Sequence, residues 1–372
     1  MGINMPNVID YIEWRGDLTF KESPFNEVDN IILSQIAYVD LSEVVPDVES
    51  RLSVTLEKAC DTFFQYHDEE ELKEVKSFIW QAPFLMRKAA SCARFREVKL
   101  SRYSYIVDED IQTQFAAFTA DLGDGTVYVA YMGTDDTLVG WKEDFNMSFL
   151  SPVPAQTMAL DYLNAIGRFI RKKIRVGGHS KGGNLAIYSG MYAGNAVRKK
   201  IIQIYNNDGP GFDKGIINSP EYIRIKPVLT SIVPYRSLVG MLLEHDNDYM
   251  VVSSSEKGVM QHDAMSWQVK GAAFVKERGL SQSSRTMNET LSNWINSIDR
   301  REREEFVDTL FEIISASGAT TLSEIQSDRH AWAGASLKLY AGLPKKEKTM
   351  MRKILLSLTN EFDKAVRKQK NN

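Results

Sequence analysis

The sequence predicts an α/β fold: a mostly parallel sheet with helices on both faces, followed by a run of helices. Short strand signals alternate with helical ones between about residues 110 and 270, the pattern left by strands joined through crossover helices. Within that stretch a pentapeptide framed by glycines, Gly178-His-Ser-Lys-Gly182, stands between a strand signal and a helix signal. That is the local order of a nucleophile elbow, the sharp strand-to-helix turn of an α/β-hydrolase fold. From residue 281 to the end, strand signals cease and apolar residues recur at helical spacing.

Taken in chain order, residues 25–41 predict a helix, with Val28, Ile31, Ile32, Gln35, Ile36 and Val39 three and four apart. Residues 69–92 predict another, interrupted at Pro83. Residues 114–120 and 126–132 alternate as strands around Gly123-Asp-Gly125, a hairpin signal. Residues 155–172 carry an amphipathic helical pattern closed by Arg171, Lys172 and Lys173, as the helix dipole favours. Beyond the elbow, strands are expected at 201–205, 228–233, 249–252 and 265–269, with a helix at 238–243. The C-terminal region carries two stripes, Leu291, Trp294, Ile295 and Ile298, then Phe306, Leu310, Ile313 and Ile314. Thr321 and Glu324 fit a capping box, and Gly342-Leu-Pro344 precedes a last helix near 345–367. The expected division is a hydrolase-type domain over 1–280 with N-terminal helices, and a helical subdomain over 281–372.

Composition narrows the function classes. With 43% hydrophobic and 25% charged residues, the chain reads as an ordinary globular protein large enough for a substantial core. Net charge is −4, unevenly spread: residues 1–50 hold ten acidic and two basic residues, residues 345–370 nine basic and three acidic. A solvated helix face explains the basic tail, and peripheral contact with an anionic membrane surface is its functional reading. Two cysteines, Cys60 and Cys92, are too few for a disulfide framework and point to a reducing, cytoplasmic setting. They lie in no metal-ligand spacing, so no metal or cofactor is expected. The opening Met1-Gly-Ile-Asn-Met-Pro lacks an apolar core for a secretory signal and has Pro6 where acylation wants Ser or Thr. No apolar run is long enough to cross a membrane as a helix. Neither a phosphate-binding loop nor a G-x-G-x-x-G after a strand is present, and no helix-turn-helix signal supports specific nucleic-acid binding.

The candidate chemistry follows from Ser180. A serine hydroxyl needs a base, and the base needs a third group to hold its tautomer. Five histidines are available: 67, 179, 245, 262 and 330. In this fold the chain order is serine, acid, histidine, which removes His67. His179 adjoins the serine and is read as structural. Among the rest, His262 comes first, at a strand–loop–strand junction, then His245, then His330 in the helical region. For the acid, Asp208 sits just past a predicted strand, where sites form in such sheets. Asp246 and Asp248 are its rivals, and Asp263 is expected to point elsewhere.

Tyr128-Val-Ala-Tyr-Met-Gly-Thr134, Trp141-Lys-Glu-Asp144 and Gly178-His-Ser-Lys-Gly-Gly183 together resemble the class 3 lipase pattern, over roughly residues 110–270. The chain is more similar still to a bacterial family of lipase-like α/β-hydrolases of unknown function. That likeness covers most of the chain, through Asp10-Tyr-Ile-Glu-Trp-Arg-Gly-Asp17-Leu-Thr-Phe, Asp208-Gly-Pro-Gly-Phe212 and Gln261-His-Asp263. It implies an oxyanion hole made by Thr134 and by the backbone N–H of Lys181, with Asp144 holding the loop of that hole. The chain departs from the lipase pattern at three points. Met132 stands in place of arginine, and Lys181 in place of leucine, which would put a cation near the site. Val233-Pro-Tyr-Arg-Ser-Leu-Val-Gly240 lacks the lipase aspartate, Ser237 falling at its position. Relocation of the acid to Asp208 is the favoured explanation, an incomplete triad the other.

The expected function is a serine hydrolase acting on a small-molecule or lipid acyl ester. Its rival is a non-catalytic binding or scaffold protein on the same fold. A Ser180–His262 separation within hydrogen-bond reach favours the first. The lid could come from 141–155, 235–247 or the C-terminal helices, and the sequence fixes neither the acyl specificity nor the oligomeric state.

Overall fold

The structure, a computed structural model, describes residues 6–74, 79–246 and 248–370. The reading of the extreme N-terminus falls almost wholly on residues 1–5, outside the described residues.

Eight strands form the central sheet in simple chain order: β1 (Val54–Thr55), β2 (Lys99–Asp108), β3 (Thr113–Asp121), β4 (Thr126–Tyr131), β5 (Lys173–His179), β6 (Ile201–Asn207), β7 (Leu229–Pro234) and β8 (Tyr249–Val252). The first four pair antiparallel. From β4 to β8 the pairing is parallel, with helices and loops carrying the chain back between strands. This is an α/β-hydrolase fold with C-terminal helices. A two-stranded hairpin, β9 (Val269–Lys270) with β10 (Ala273–Phe274), stands apart from the sheet.

Alternation along β4 shows why both faces must be covered. Tyr128, Ala130 and Met132 join the core under helices Glu27–Ile36, Leu56–Tyr66 and Ala82–Ala90. Val129 and Tyr131 join the opposite core, under helices Pro154–Gly167 and Lys181–Tyr192. Successive side chains point to opposite faces of a strand, so an apolar run signals burial on both. The third core lies among the C-terminal helices Gln282–Ser297, Arg300–Ile314 and Lys345–Lys370. It gathers Ile298, Phe306, Val307, Phe311, Met351 and Ile354, with Trp141 and Phe149 packed against it. These helices therefore rest on helix Leu138–Asn146. Several tail lysines are engaged on the surface: Lys353 with Glu302, Lys364 with Glu361 and Lys368 with Glu289.

Three expectations are corrected, and one strand escaped notice. Residues 265–269 are not a strand: Asp263 Oδ1 accepts the Met265 N–H at 2.9 Å and starts a short 3₁₀ turn, Ala264–Ser266. Only Val239–Met241 is helical in the 238–243 segment, again as 3₁₀. Helix Pro154–Gly167 stops short of Arg171, Lys172 and Lys173. Strand β2 gave no clean signal because a bulge between Ser101 and Ser104 breaks its alternation.

The N-terminal segment is tied to the sheet's helical layer by one buried ion pair. Asp29 Oδ1 and Oδ2 accept from Arg94 Nε at 2.7 Å and Nη2 at 2.6 Å, and both side chains are fully buried. Arg94 also donates to the carbonyls of Leu18 and Ser23, and Tyr11 donates to Asp29. Removing one partner of such a pair strands the other in low dielectric. Arg94→Met is expected to lower the free energy of unfolding by about 3–5 kcal/mol, read from urea denaturation; a loss below about 1 kcal/mol, the range of an exposed pair, would contradict this account.

Candidate active site

The elbow forms because small residues permit a backbone that ordinary side chains would block. Ser180 has φ 56° and ψ −131°, a conformation rare outside glycine and held only when its surroundings impose it. A methyl on Gly178 would strike the Gly182 backbone, and one on Gly182 would strike the Tyr131 carbonyl. Helix Lys181–Tyr192 starts immediately after the serine. Its first N–H groups lack intrahelical partners and point back toward the turn.

Ser180, His262 and Asp208 are brought together. His262 Nε2 lies 3.0 Å from Ser180 Oγ, and His262 Nδ1 lies 2.6 Å from Asp208 Oδ2. Asp208 follows β6 directly and, like Ser180, has a positive φ, 52°. Its side chain is fully buried while His262 is partly open. Ser237, at the position where the lipase pattern has aspartate, donates its hydroxyl to Asp208 Oδ1 at 2.5 Å. The Gly240 N–H donates to the same oxygen at 3.2 Å. A carboxylate that accepts these bonds and the imidazole N–H is fixed in rotation and satisfied in its burial.

His262 ends the 3₁₀ turn Gly258–His262, and neighbours anchor that turn. His179 Nε2 donates to the His262 carbonyl at 2.8 Å, which leaves Nδ1 to accept the Tyr38 hydroxyl at 2.9 Å. The two imidazoles lie 4.6 Å apart, centre to centre. Burial, then the neighbouring His262, pushes the His179 pKa well below its ordinary value, so it stays neutral. Gln261 accepts the Arg236 N–H at 2.7 Å, and its carbonyl accepts Trp267 Nε1 at 2.9 Å. Tyr38, Gln261 and Trp267 are positioning residues that sequence reasoning passed over. Their roles depend on contacts between segments distant in the chain.

The other candidates lie elsewhere. His67 stacks on Phe63, His245 packs against Tyr249, and His330 is exposed on helix Arg329–Gly342. Asp246 pairs with Lys226, and Asp248 is exposed.

Thr134 follows β4 beside the elbow and donates its hydroxyl to Asp144 Oδ2 at 2.6 Å. Lys181 departs from expectation. Its side chain does not put a cation at the site but is buried against β3. The ammonium donates to the Gln114 carbonyl at 2.8 Å and to Glu143 Oε2 at 2.9 Å. Glu143 in turn accepts from the Thr113 hydroxyl, the Gln114 N–H and the Ala155 N–H. This pair ties the first residue of the elbow helix to β3 and two neighbouring helices.

A cavity of about 380 Å³ opens beside the three residues. Thr134, His179, Ser180 and His262 sit at its polar end, and the rest is mainly apolar. Leu242, Leu243, Val259 and Met260 come from the loops after β7 and β8, while Leu291, Trp294, Ile295, Ile298, Phe306 and Val307 come from the C-terminal helices.

Two outcomes test this environment. Lys181→Met should destabilise the fold by about 3–5 kcal/mol, because it leaves Glu143 charged and buried; adding Glu143→Gln should restore most of the loss. A double variant no more stable than Lys181→Met would mean the two residues do not act as a pair. Burial raises the Asp144 pKa from 3.8 to about 6. The folded state then holds that proton more tightly than the unfolded state, so this group's contribution to stability falls as pH rises from about 4 to 6 and is level above. The loss is bounded by about 3 kcal/mol. Asp144→Asn should flatten the stability profile across that window in denaturant titrations, and an unchanged profile would rule the assignment out.

Among solved structures, the Rhizomucor miehei lipase in its native propeptide complex aligns at 13% identity and a TM-score of 0.28, covering 46% of this chain and 65% of that one, less than two thirds of its length. M37 lipase aligns at 15% identity and a TM-score of 0.33, covering 58% of this chain and 70% of that one. No curated protein matches the sequence. A sequence profile of the Mbeg1-like family matches residues 89–312, a span that contains the elbow, Asp208, His262, the first C-terminal helix and most of the second; the chain belongs to the Mbeg1-like family.

Proposed function

We propose that the protein is a serine hydrolase of carboxylic esters, with Ser180 as nucleophile, His262 as general base and acid, and Asp208 as the orienting carboxylate. The observation that carries this reading is the continuous chain of contacts from Ser180 Oγ to His262 Nε2 at 3.0 Å and from His262 Nδ1 to Asp208 Oδ2 at 2.6 Å. Asp208 accepts the Nδ1 proton and leaves Nε2 free to take one, the tautomer a base at this position needs.

Ser180 Oγ attacks the ester carbonyl as its proton moves to His262 Nε2. The carbonyl oxygen, now an alkoxide, is held by the backbone N–H groups of Thr134 and Lys181. Two fixed donors at that point are worth roughly 3–4 kcal/mol each, by analogy with a measured case. The imidazolium returns its proton to the leaving alcohol and an acyl-serine remains. Water, deprotonated by His262, then attacks the acyl carbon, and collapse releases the acid and restores Ser180. The apolar cavity beside Ser180 supports an acyl ester as the substrate class.

A fluorophosphonate probe is expected to add one phosphonyl group at Ser180, located by peptide mass spectrometry, and p-nitrophenyl ester hydrolysis should disappear in Ser180→Ala. Asp208→Asn should lower kcat by roughly 10³- to 10⁴-fold while some activity persists. A wild-type protein that neither labels nor hydrolyses, under conditions where a control esterase does both, is incompatible with the proposal.

A further inference from the structure

Arg303 places a cation in the wall of the apolar cavity, where no element of the reaction just described needs one. It lies on helix Arg300–Ile314 beside Phe306 and Val307. Among the described residues it is the sole lysine or arginine lining the cavity. Its one hydrogen bond there runs from Nη1 to the Ser148 carbonyl, and no described carboxylate lies within ion-pair distance of it. Its Nε is buried with no partner. Desolvation lowers the Arg303 pKa, opposed more weakly by Asp213 and Asp299. A guanidinium stays charged in any protein setting, so burying it against apolar side chains is unfavourable until an anion arrives.

A second unmet donor faces the same cavity. Gln35, 5% exposed, lines it, and its Nε2 has no partner. Two donors without acceptors call for an acceptor-rich ligand. The carboxylates on this wall do not serve Arg303, neither lying within ion-pair distance of it: Asp144 Oδ2 accepts from Thr134 while its Oδ1 is buried without a partner, and Asp263 Oδ1 accepts from Met265. Burial pushes the pKa of both upward.

Resting on the serine-hydrolase reading, the geometry points to a substrate class: an ester whose apolar chain carries an anionic group remote from the scissile carbonyl, received by Arg303. The chain runs along Leu291, Ile295, Ile298 and Phe306, and the guanidinium takes a carboxylate or a phosphate-type group by charge-assisted hydrogen bonds. Arg303 is a specificity-determining residue in this account and takes no part in the bond-breaking steps.

The test compares kcat/KM for p-nitrophenyl esters of graded chain length in three forms: methyl-terminated, ω-carboxylate and ω-phosphonate. At the best length, wild type should favour an anionic ester over its neutral counterpart by roughly 10- to 100-fold. The better of the two anionic arms identifies the group. Arg303→Met should bring that ratio close to one, and Arg303→Lys should retain part of it, since charge survives while the planar fork is lost. Because the readout is a ratio within each variant, partial loss of folded protein leaves it unaffected. A wild-type ratio near one, or a preference that survives in Arg303→Met, overturns the assignment while fluorophosphonate labelling of Ser180 keeps the hydrolase reading intact. Absence of that labelling defeats the hydrolase reading itself.

Discussion

The parallel register between β5 and β6 is the constraint on which the site depends. His179 stands opposite Asn207, so the next residue of each strand, Ser180 and Asp208, leaves the sheet at the same level. The Ser180 N–H donates to the Asn207 carbonyl, and the Asp208 N–H to the Ile232 carbonyl on β7. Both residues then turn through positive φ, which lifts each side chain off the strand direction. A slip of one residue would send alternate side chains to the other face and part Ser180 from Asp208. The apolar residues of both strands, buried in the core beneath helix Lys181–Tyr192, fix that register.

With Asp208 at the end of β6, the segment after β7 takes a different task. Ser237 and Gly240 donate to the carboxylate, and Ser284 on the first C-terminal helix donates to the Ser237 carbonyl. Where the lipase pattern puts a negative charge, this chain puts a hydroxyl that holds one. A donor lost at Ser237 would leave a buried oxygen short of a partner, which costs about 1–3 kcal/mol.

What was legible in the sequence divides along the same line. The elbow was readable because steric demand is local: two glycines, a strand signal and a helix signal sit within about fifteen residues. The parallel sheet was readable because burial on both faces leaves apolar runs. Asp208 and His262 could be nominated from their places at strand ends, though the contact joining them spans 54 residues. Lys181 was misread because a lysine in a polar-looking motif gives no sign that Glu143, 38 residues earlier, waits inside the protein. The 265–269 segment misled because the alternation of Met265, Trp267 and Val269 with polar residues reads as a strand, whereas the Asp263 cap turns its start into a 3₁₀ turn. The cavity wall was legible only as segments, since 141–155, 235–247 and the C-terminal helices all line it, while helical stripes reveal that a face is buried without revealing what lies across from it.

That last gap bears on how the molecule works. All four residues of the stripe Leu291, Trp294, Ile295 and Ile298 line the cavity, and Trp294 and Ile298 also pack in the third core. Trp294 makes the link explicit: its ring borders the cavity while its Nε1 donates to the Ile354 carbonyl and the Ser357 hydroxyl on the last helix. Packed interiors do not deform smoothly, so any shift of the last helix is felt at the cavity wall. Trp141, whose Nε1 donates to the Asp135 carbonyl, couples the same core to the loop bearing Thr134. The shape of the cavity and the position of Thr134 are thus set by one packing arrangement, and the C-terminal helices shape the candidate site as much as the sheet does.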